Sequence, residues 1–211
     1  EDLCEEITRK GWEFVQKFDG SSFSSDVRKT YTTNSGGRPI DIATITNAGQ
    51  GYILHKYSNK TSGGIAGVNS TFVDTDFPLF RLADVYLMYA EAQMRKDGAT
   101  NINTSTNANT QSLGYINALR ERANNGSTSA NVSASDVNLS FILDERAREL
   151  HWEGHRRQDL IRFDKYTGGS YNWAWKGNIA NGTSLSNNLN VFPIPSNSII
   201  ANPNLTQNTG Y

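Results

Sequence analysis

Residues 139–163, LSFILDERARELHWEGHRRQDLIRF, hold the densest run of helix-forming and charged residues in the chain. Leu139, Ile142, Leu143, Ala147 and Leu150 recur at three- and four-residue steps, which places them on one face of a 3.6-residue period. The stretch therefore reads as one long helix facing a core, with Asp136 or Asn138 available as its N-cap. Glu145, Glu149 and Glu153 fall on a second face at four-residue spacing, where like charges repel by a few tenths of a kcal/mol per pair. Cations must neutralise that row. Within the helix Glu153 can reach Arg156 or Arg157, Asp144 can reach Arg148, and Arg146 can reach Glu149; from another element, Arg120 and Arg122 are the candidates. The expectation is a structural ion network over Glu145, Arg146, Glu149, Glu153, Arg156, Asp159, Arg162, Arg120 and Arg122.

Working outward, the apolar segment 79–96 follows Pro78 and closes at Gly98, so it reads as a buried helix. After a polar loop over 99–110, Leu113, Ile116, Leu119 and Ala123 mark a second amphipathic helix, stopped by Asn124, Asn125 and Gly126. The pair forms a helical hairpin of tetratricopeptide type, with Ala83, Ala90, Gly114 and Ala118 as the small residues for close packing. Toward the N-terminus, Leu3, Ile7, Phe14 and Phe18, flanked by Trp12 and Val15, give an amphipathic helix over 3–18. Between 21 and 73 the helical period disappears, and β-branched runs at 40–45 and 52–57 read as short strands in a long excursion. Residues 166–190 are irregular. In the tail, Pro193 and Pro195 hold the chain extended, and Ile194, Ile199 and Leu205 are expected to pin it to the core. The fold class is mainly α: helical, with a tetratricopeptide-like hairpin, long irregular loops and a few short strands.

With 211 residues and 36% hydrophobic content, the chain can bury one sizeable core, and 1–211 reads as a single domain. A net charge of -1 supplies no basic field for nucleic acid or an anionic membrane, so neither is an expected partner. The single cysteine, Cys4, excludes an intrachain disulfide and a Cys-rich zinc site. His151 and His155 have the spacing to share a zinc, but Glu153 stands two residues after His151 rather than next to it, and only His55 remains as a third histidine. They read as packing residues, with no metal and no cofactor. The carboxylate row has the composition of a glycosidase pair, yet arginines within reach would keep it ionised where a general acid needs a raised pKa. No residue is assigned a catalytic role.

The same stretch resembles the signature of the SusD/RagB family, which reads roughly E-R-x-x-E-(L/F)-x-x-E-G-x-R-x-x-D-L-x-R. Glu145, Arg146, Glu149, Leu150, Glu153, Gly154, Arg156, Asp159, Leu160 and Arg162 fall on it. Arg81, Ala83, Asp84, Val85, Leu87, Ala90, Glu91 and Ala92, then Ile116, Asn117, Leu119, Arg120, Arg122 and Ala123, resemble the family's hairpin, and the tail from P-I-P to N-P-x-L-x-Q-N-x-G-Y resembles its ending. Before Phe77 the likeness rests on little beyond Asp26-x-Arg28. The resemblance implies a cell-surface protein of the outer membrane that binds an oligosaccharide or other nutrient and passes it to a SusC-type TonB-dependent transporter. It also implies that this chain is the C-terminal part of a longer protein, touching the membrane only through a lipid anchor outside it. A helical-repeat scaffold for protein partners is the alternative. A sugar ring needs flat aromatic faces and a few planar hydrogen-bonding groups. Tyr31, Tyr52, Tyr57, Trp173 and Trp175 are the candidate faces, with Asn34, Arg38, Asp41, Asn47 and Gln50 as polar partners in the segment 21–73.

Overall fold

The computed structural model describes residues 9–10, 12–32, 39–47, 49–69 and 72–211. It is mainly helical, with α1 (Trp12–Val15), α2 (Leu82–Asp97), α3 (Asn107–Ala123), α4 (Leu139–Leu150), α5 (Arg156–Arg162) and α6 (Ser196–Ala201). Three short strands, β1 (Arg9–Lys10), β2 (Tyr31–Thr32) and β3 (Tyr52–Leu54), form one sheet. The chain divides into two compact units, Glu1–Arg156 and Arg157–Tyr211.

In the first unit, α2 packs on α3 and α4. Leu87, Ala90, Met94, Ile116, Leu119, Ala123, Ile142, Leu143 and Leu150 are buried. Gly98 closes α2 in the left-handed region (φ 63°), its amide donating to Met94 O at 3.0 Å. The second helix starts inside the stretch read as loop, because Thr106 is an N-cap whose side chain accepts from Asn109 N at 3.2 Å. Ala83 and Ala90 are buried as expected, but Gly114 and Ala118 face solvent. Asn109 and Ser112 are the buried small polar residues instead. Asn109 Nδ2 donates to Asp97 and to Asn103 O, each at 2.7 Å, and so ties the hairpin loop shut. Nor is α2 buried all round: Leu82, Val85, Met88 and Tyr89 are exposed.

The sheet has β3 at its centre, antiparallel to both neighbours, with Lys10 opposite Tyr52 and Tyr31 opposite Leu54. Tyr52 and Leu54 are buried while Ile53 is exposed, the two-residue alternation of a half-buried strand. Phe14, Val15, Phe18, Tyr52 and Leu54 make a core cluster. Among the described residues, the helix expected over 3–18 is interrupted by β1, which pairs with β3; helical backbone is described over Trp12–Val15 and continues as a 3-10 turn over Gln16–Phe18. Leu3, Cys4 and Ile7 lie outside the described residues. Residues 40–45 run as bends and turns rather than a strand.

The stretch 139–163 is not one helix. Asn138 caps α4 by accepting from Phe141 N at 2.8 Å, but the helix ends at Leu150, and Trp152 (φ 63°) and Gly154 (φ 76°) turn the chain before α5 begins. A continuing helix would offer Glu149 O to the amide of Glu153. Here that carbonyl receives Lys56 Nζ at 2.8 Å and Arg81 Nη2 at 2.6 Å, while the Glu153 amide goes to Leu150 O at 3.2 Å. Two cations at the negative end of a helix satisfy its orphan carbonyls and oppose its dipole, so the break is set by residues far away in the sequence.

In the second unit the tail folds back through side-chain amides. Gln207 acts like a strand neighbour to Ile194, accepting from its N–H at 2.8 Å and donating to its carbonyl at 2.9 Å. Asn208 Nδ2 donates to Phe192 O, and the Tyr211 hydroxyl to Val191 O, both at 2.8 Å. Ile194 and Ile199 are half-buried and Leu205 is exposed.

Candidate functional site

Three carboxylates from α4 and the turn after it gather cations from four segments of the first unit. Glu145 is fully buried; its Oε1 accepts from Arg28 Nη1 at 2.7 Å, and its Oε2 from Arg148 Nη2 at 2.6 Å and Arg120 Nη1 at 3.2 Å. Arg28 also holds Asp26, at 2.7 Å. The guanidinium groups of Arg120 and Arg148 both lie over the rings of Phe23 and Phe141. Glu149 receives Arg81 and Arg122 at 2.6 Å and Arg28 at 3.2 Å. Glu153 receives Arg81 at 2.6 Å and Lys56.

Glu145, Glu149, Glu153, Arg120 and Arg122 are thus brought together. The other partners differ. Arg148 faces Glu145 rather than Asp144, which pairs with Lys17. Arg146 pairs with Asp84 at 2.8 Å, an ion pair that lies off the line of a hydrogen bond. Arg156 donates to Leu143 O at 3.1 Å. In the second unit Arg162 holds Asp159 at 2.7 Å, and Arg157 donates to Leu189 O at 2.6 Å with its guanidinium over Tyr166 and Phe192. The reading of sequence missed Arg28, Lys56 and Arg81. For Arg28 and Arg81 the available signal was their place in the family pattern; for Lys56 there was none.

Burial works to raise the Glu145 carboxyl, but the charges of Arg148, Arg28 and Arg120 outweigh it and hold the group well below the usual carboxylate range. Glu149 and Glu153 are lowered against the same opposing burial, the first by Arg122, Arg28 and Arg81, the second by hydrogen bonds from Arg81 and Lys56. Burial pulls the Lys56 ammonium down, with Glu153 opposing. Carboxylates held ionised in this way cannot serve as proton donors at neutral pH. What the arrangement can do is fix geometry, joining the excursion 21–73, the hairpin and α4.

The aromatic candidates separate into three places. Tyr31 and Tyr52 come together edge to face at 5.5 Å and join Phe14 and Phe18; Tyr52 is 9% exposed, so its faces serve the core. Tyr57 stands apart at 37% exposure, its ring 6.3 Å from Trp152, a residue the sequence reading passed over as part of a helix. Trp173, in the second unit, lies 6.5 Å from Tyr166 in a stacked pair and 6.0 Å from Tyr171, with Lys176 Nζ 4.8 Å over its ring. Trp175 is half-buried, with φ 69°. Among the polar candidates, Asn47 accepts from Gly49 N and Gln50 from Thr44 N, each at 2.9 Å, within their own loop; Asn34 and Arg38 lie outside the described residues. His151 has both ring nitrogens engaged, Nδ1 with Arg148 O and Nε2 with the Thr30 hydroxyl, each at 2.9 Å.

A family model described as the SusD family matches residues 4–211. The starch-binding protein SusD of Bacteroides thetaiotaomicron is 39% identical over 176 residues, which is 83% of this chain and 29% of that protein. The chain therefore spans less than a third of that relative's length. Among solved structures, a SusD superfamily protein from Bacteroides vulgatus is 26% identical with a TM-score of 0.57, covering 89% of this chain and 36% of that one. A SusD homologue from Bacteroides thetaiotaomicron, also 26% identical, gives a TM-score of 0.55 over 81% of this chain and 34% of that one.

Proposed function

The chain belongs to the SusD family, and on that premise we propose that it is the C-terminal part of a longer nutrient-binding protein of the outer-membrane surface. In this reading the full-length protein is lipid-anchored, captures an oligosaccharide and passes it to a SusC-type TonB-dependent transporter. The family match over residues 4–211, with 39% identity to a starch-binding protein, is the observation that carries it. The ionised state of the buried carboxylates supports binding over hydrolysis, since a glycosidase of the usual kind needs one carboxyl kept protonated. Among the described residues no helix is long and apolar enough to cross a membrane.

A glycan array on the full-length protein, followed by calorimetry, tests the reading; we expect at least one soluble oligosaccharide to bind, and binding to none would sink it. Co-purification of a TonB-dependent transporter from outer membranes tests the partner. The second reading, a scaffold for protein partners, is favoured by one feature, the exposed Leu82, Val85, Met88 and Tyr89 along α2. Protein partners captured with no oligosaccharide bound would favour it.

A further inference from the structure

Trp152 occupies an unusual position. A bulky non-glycine residue rarely takes a positive φ, and Trp152 has φ 63° between two neighbours that are both buried, His151 at 6% and Glu153 at 3% exposure. Between those two buried residues Trp152 itself is half-buried. Lys56 provides the anchor from the facing segment: its Nζ donates to His151 O at 2.9 Å and to the Glu153 carboxylate. Its own neighbour in sequence, Tyr57, is thereby set beside the indole, with ring centroids 6.3 Å apart and planes at 41°. Lys56 Nζ lies 5.8 Å from the Tyr57 centroid, which accounts for one face of that ring.

We propose that Tyr57 and Trp152 form a stacking platform for one pyranose ring of a neutral oligosaccharide. Two tilted aromatic rings, held by buried groups bonded to one another, offer the pre-set apolar faces that the C–H side of a sugar ring covers. The charge around them selects a neutral occupant. Lys56 and Arg81 are matched against Glu149 and Glu153, so the charges beneath the rings are already engaged with one another. Backbone strain that persists because its surroundings over-determine it is a recurrent mark of ligand contact.

The platform rests on the carbohydrate-binding reading, and the experiment separates the two. Calorimetry on the full-length protein uses maltohexaose as first probe and then the ligands found on the array. Tyr57→Ala and Trp152→Gly should each weaken binding about tenfold or more. Glycine accepts the left-handed backbone without strain, so Trp152→Gly keeps the chain path; Tyr57→Phe keeps the ring and should bind within about twofold of the parent. Tyr57→Ala gives the answer alone if Trp152→Gly does not fold. Parent-like affinity in the alanine and glycine variants overturns the platform and leaves the function standing. A large fall in melting temperature with unchanged affinity also overturns it, by assigning the rings to packing. A parent protein that binds no oligosaccharide overturns the function itself.

Discussion

Glu145 accepts from three guanidinium groups with no exposure to water. Taking so many charges from solvent costs about several kcal/mol per ion, repaid only while each has its partner. Removing one partner leaves the others buried and unmatched, and that loss typically amounts to about 3 to 5 kcal/mol. Glu149→Ala, which takes one carboxylate from the buried Arg28 and the partly buried Arg81, should therefore destabilise by about that amount in urea melts, and Glu145→Gln, with similar shape and no charge, should do the same. A Glu149→Ala protein that melts within a degree or two of the parent would show that the network carries little stability. At this scale the carboxylate row could be read from four-residue spacing, and Arg120 and Arg122 only as arginines offered by another helix. Arg28 and Lys56 could not, because they sit in a segment without periodicity and reach α4 only through the tertiary fold.

At the scale of elements, the helix break shows how a strong periodic pattern is overruled. Leu139 to Leu150 carries the apolar period, and Glu153, Arg156 and Asp159 continue a plausible helical face, so nothing in that pattern stops at Leu150. Gly154 was the one local sign, since glycine costs about 1 kcal/mol inside a helix. The deciding groups, Lys56 and Arg81, come from 97 and 72 residues before Glu153. Lys56→Met should therefore remove the Lys56 donor from His151 O, leave Glu149 O to Arg81, and cost about 1 to 3 kcal/mol by chemical denaturation, with faster amide exchange in the turn 151–154. The hairpin was legible because its helices carry their own caps and periods, whereas the small residues assigned to its interface were half wrong: spacing alone does not say which face meets a neighbour. A second prediction concerns the loop 59–74. Asn59 links it, donating to Asn69 O and accepting from Asp74 N, each at 3.0 Å, and a Cβ on Gly67 would come within 2.4 Å of the Asn59 amide. Gly67→Ala should displace that amide and speed proteolytic cutting in this exposed loop while the melting temperature stays close to the parent's. Unchanged cutting would mean the loop holds its shape without Asn59.

For the whole molecule, the three lowered carboxylates of the ion network predict how stability follows pH. A carboxyl whose folded pKa lies below its unfolded value, about 4.3 for a glutamate, contributes stability that is fully present above the unfolded value and is lost as pH falls toward and through the folded one. Glu145, Glu149 and Glu153 all shift in this direction, so their contributions add on the acid side. Arginine side chains in general stay protonated over that range. Arg28 and Arg81 are pushed above their ordinary range, and burial lowers Lys56 with Glu153 opposing. Unfolding free energy should therefore be nearly level from pH 7 to about 5 and then decline below the unfolded glutamate value, each carboxyl adding up to about 1.4 kcal/mol per pH unit. Urea melts at pH 7, 5, 4 and 3 measure this directly, and Glu149→Ala should show a shallower acid limb than the parent because one of the three groups is gone. Stability that stays level down to pH 3, or an acid limb unchanged in the variant, would mean that the buried carboxylates are not what ties this fold to pH.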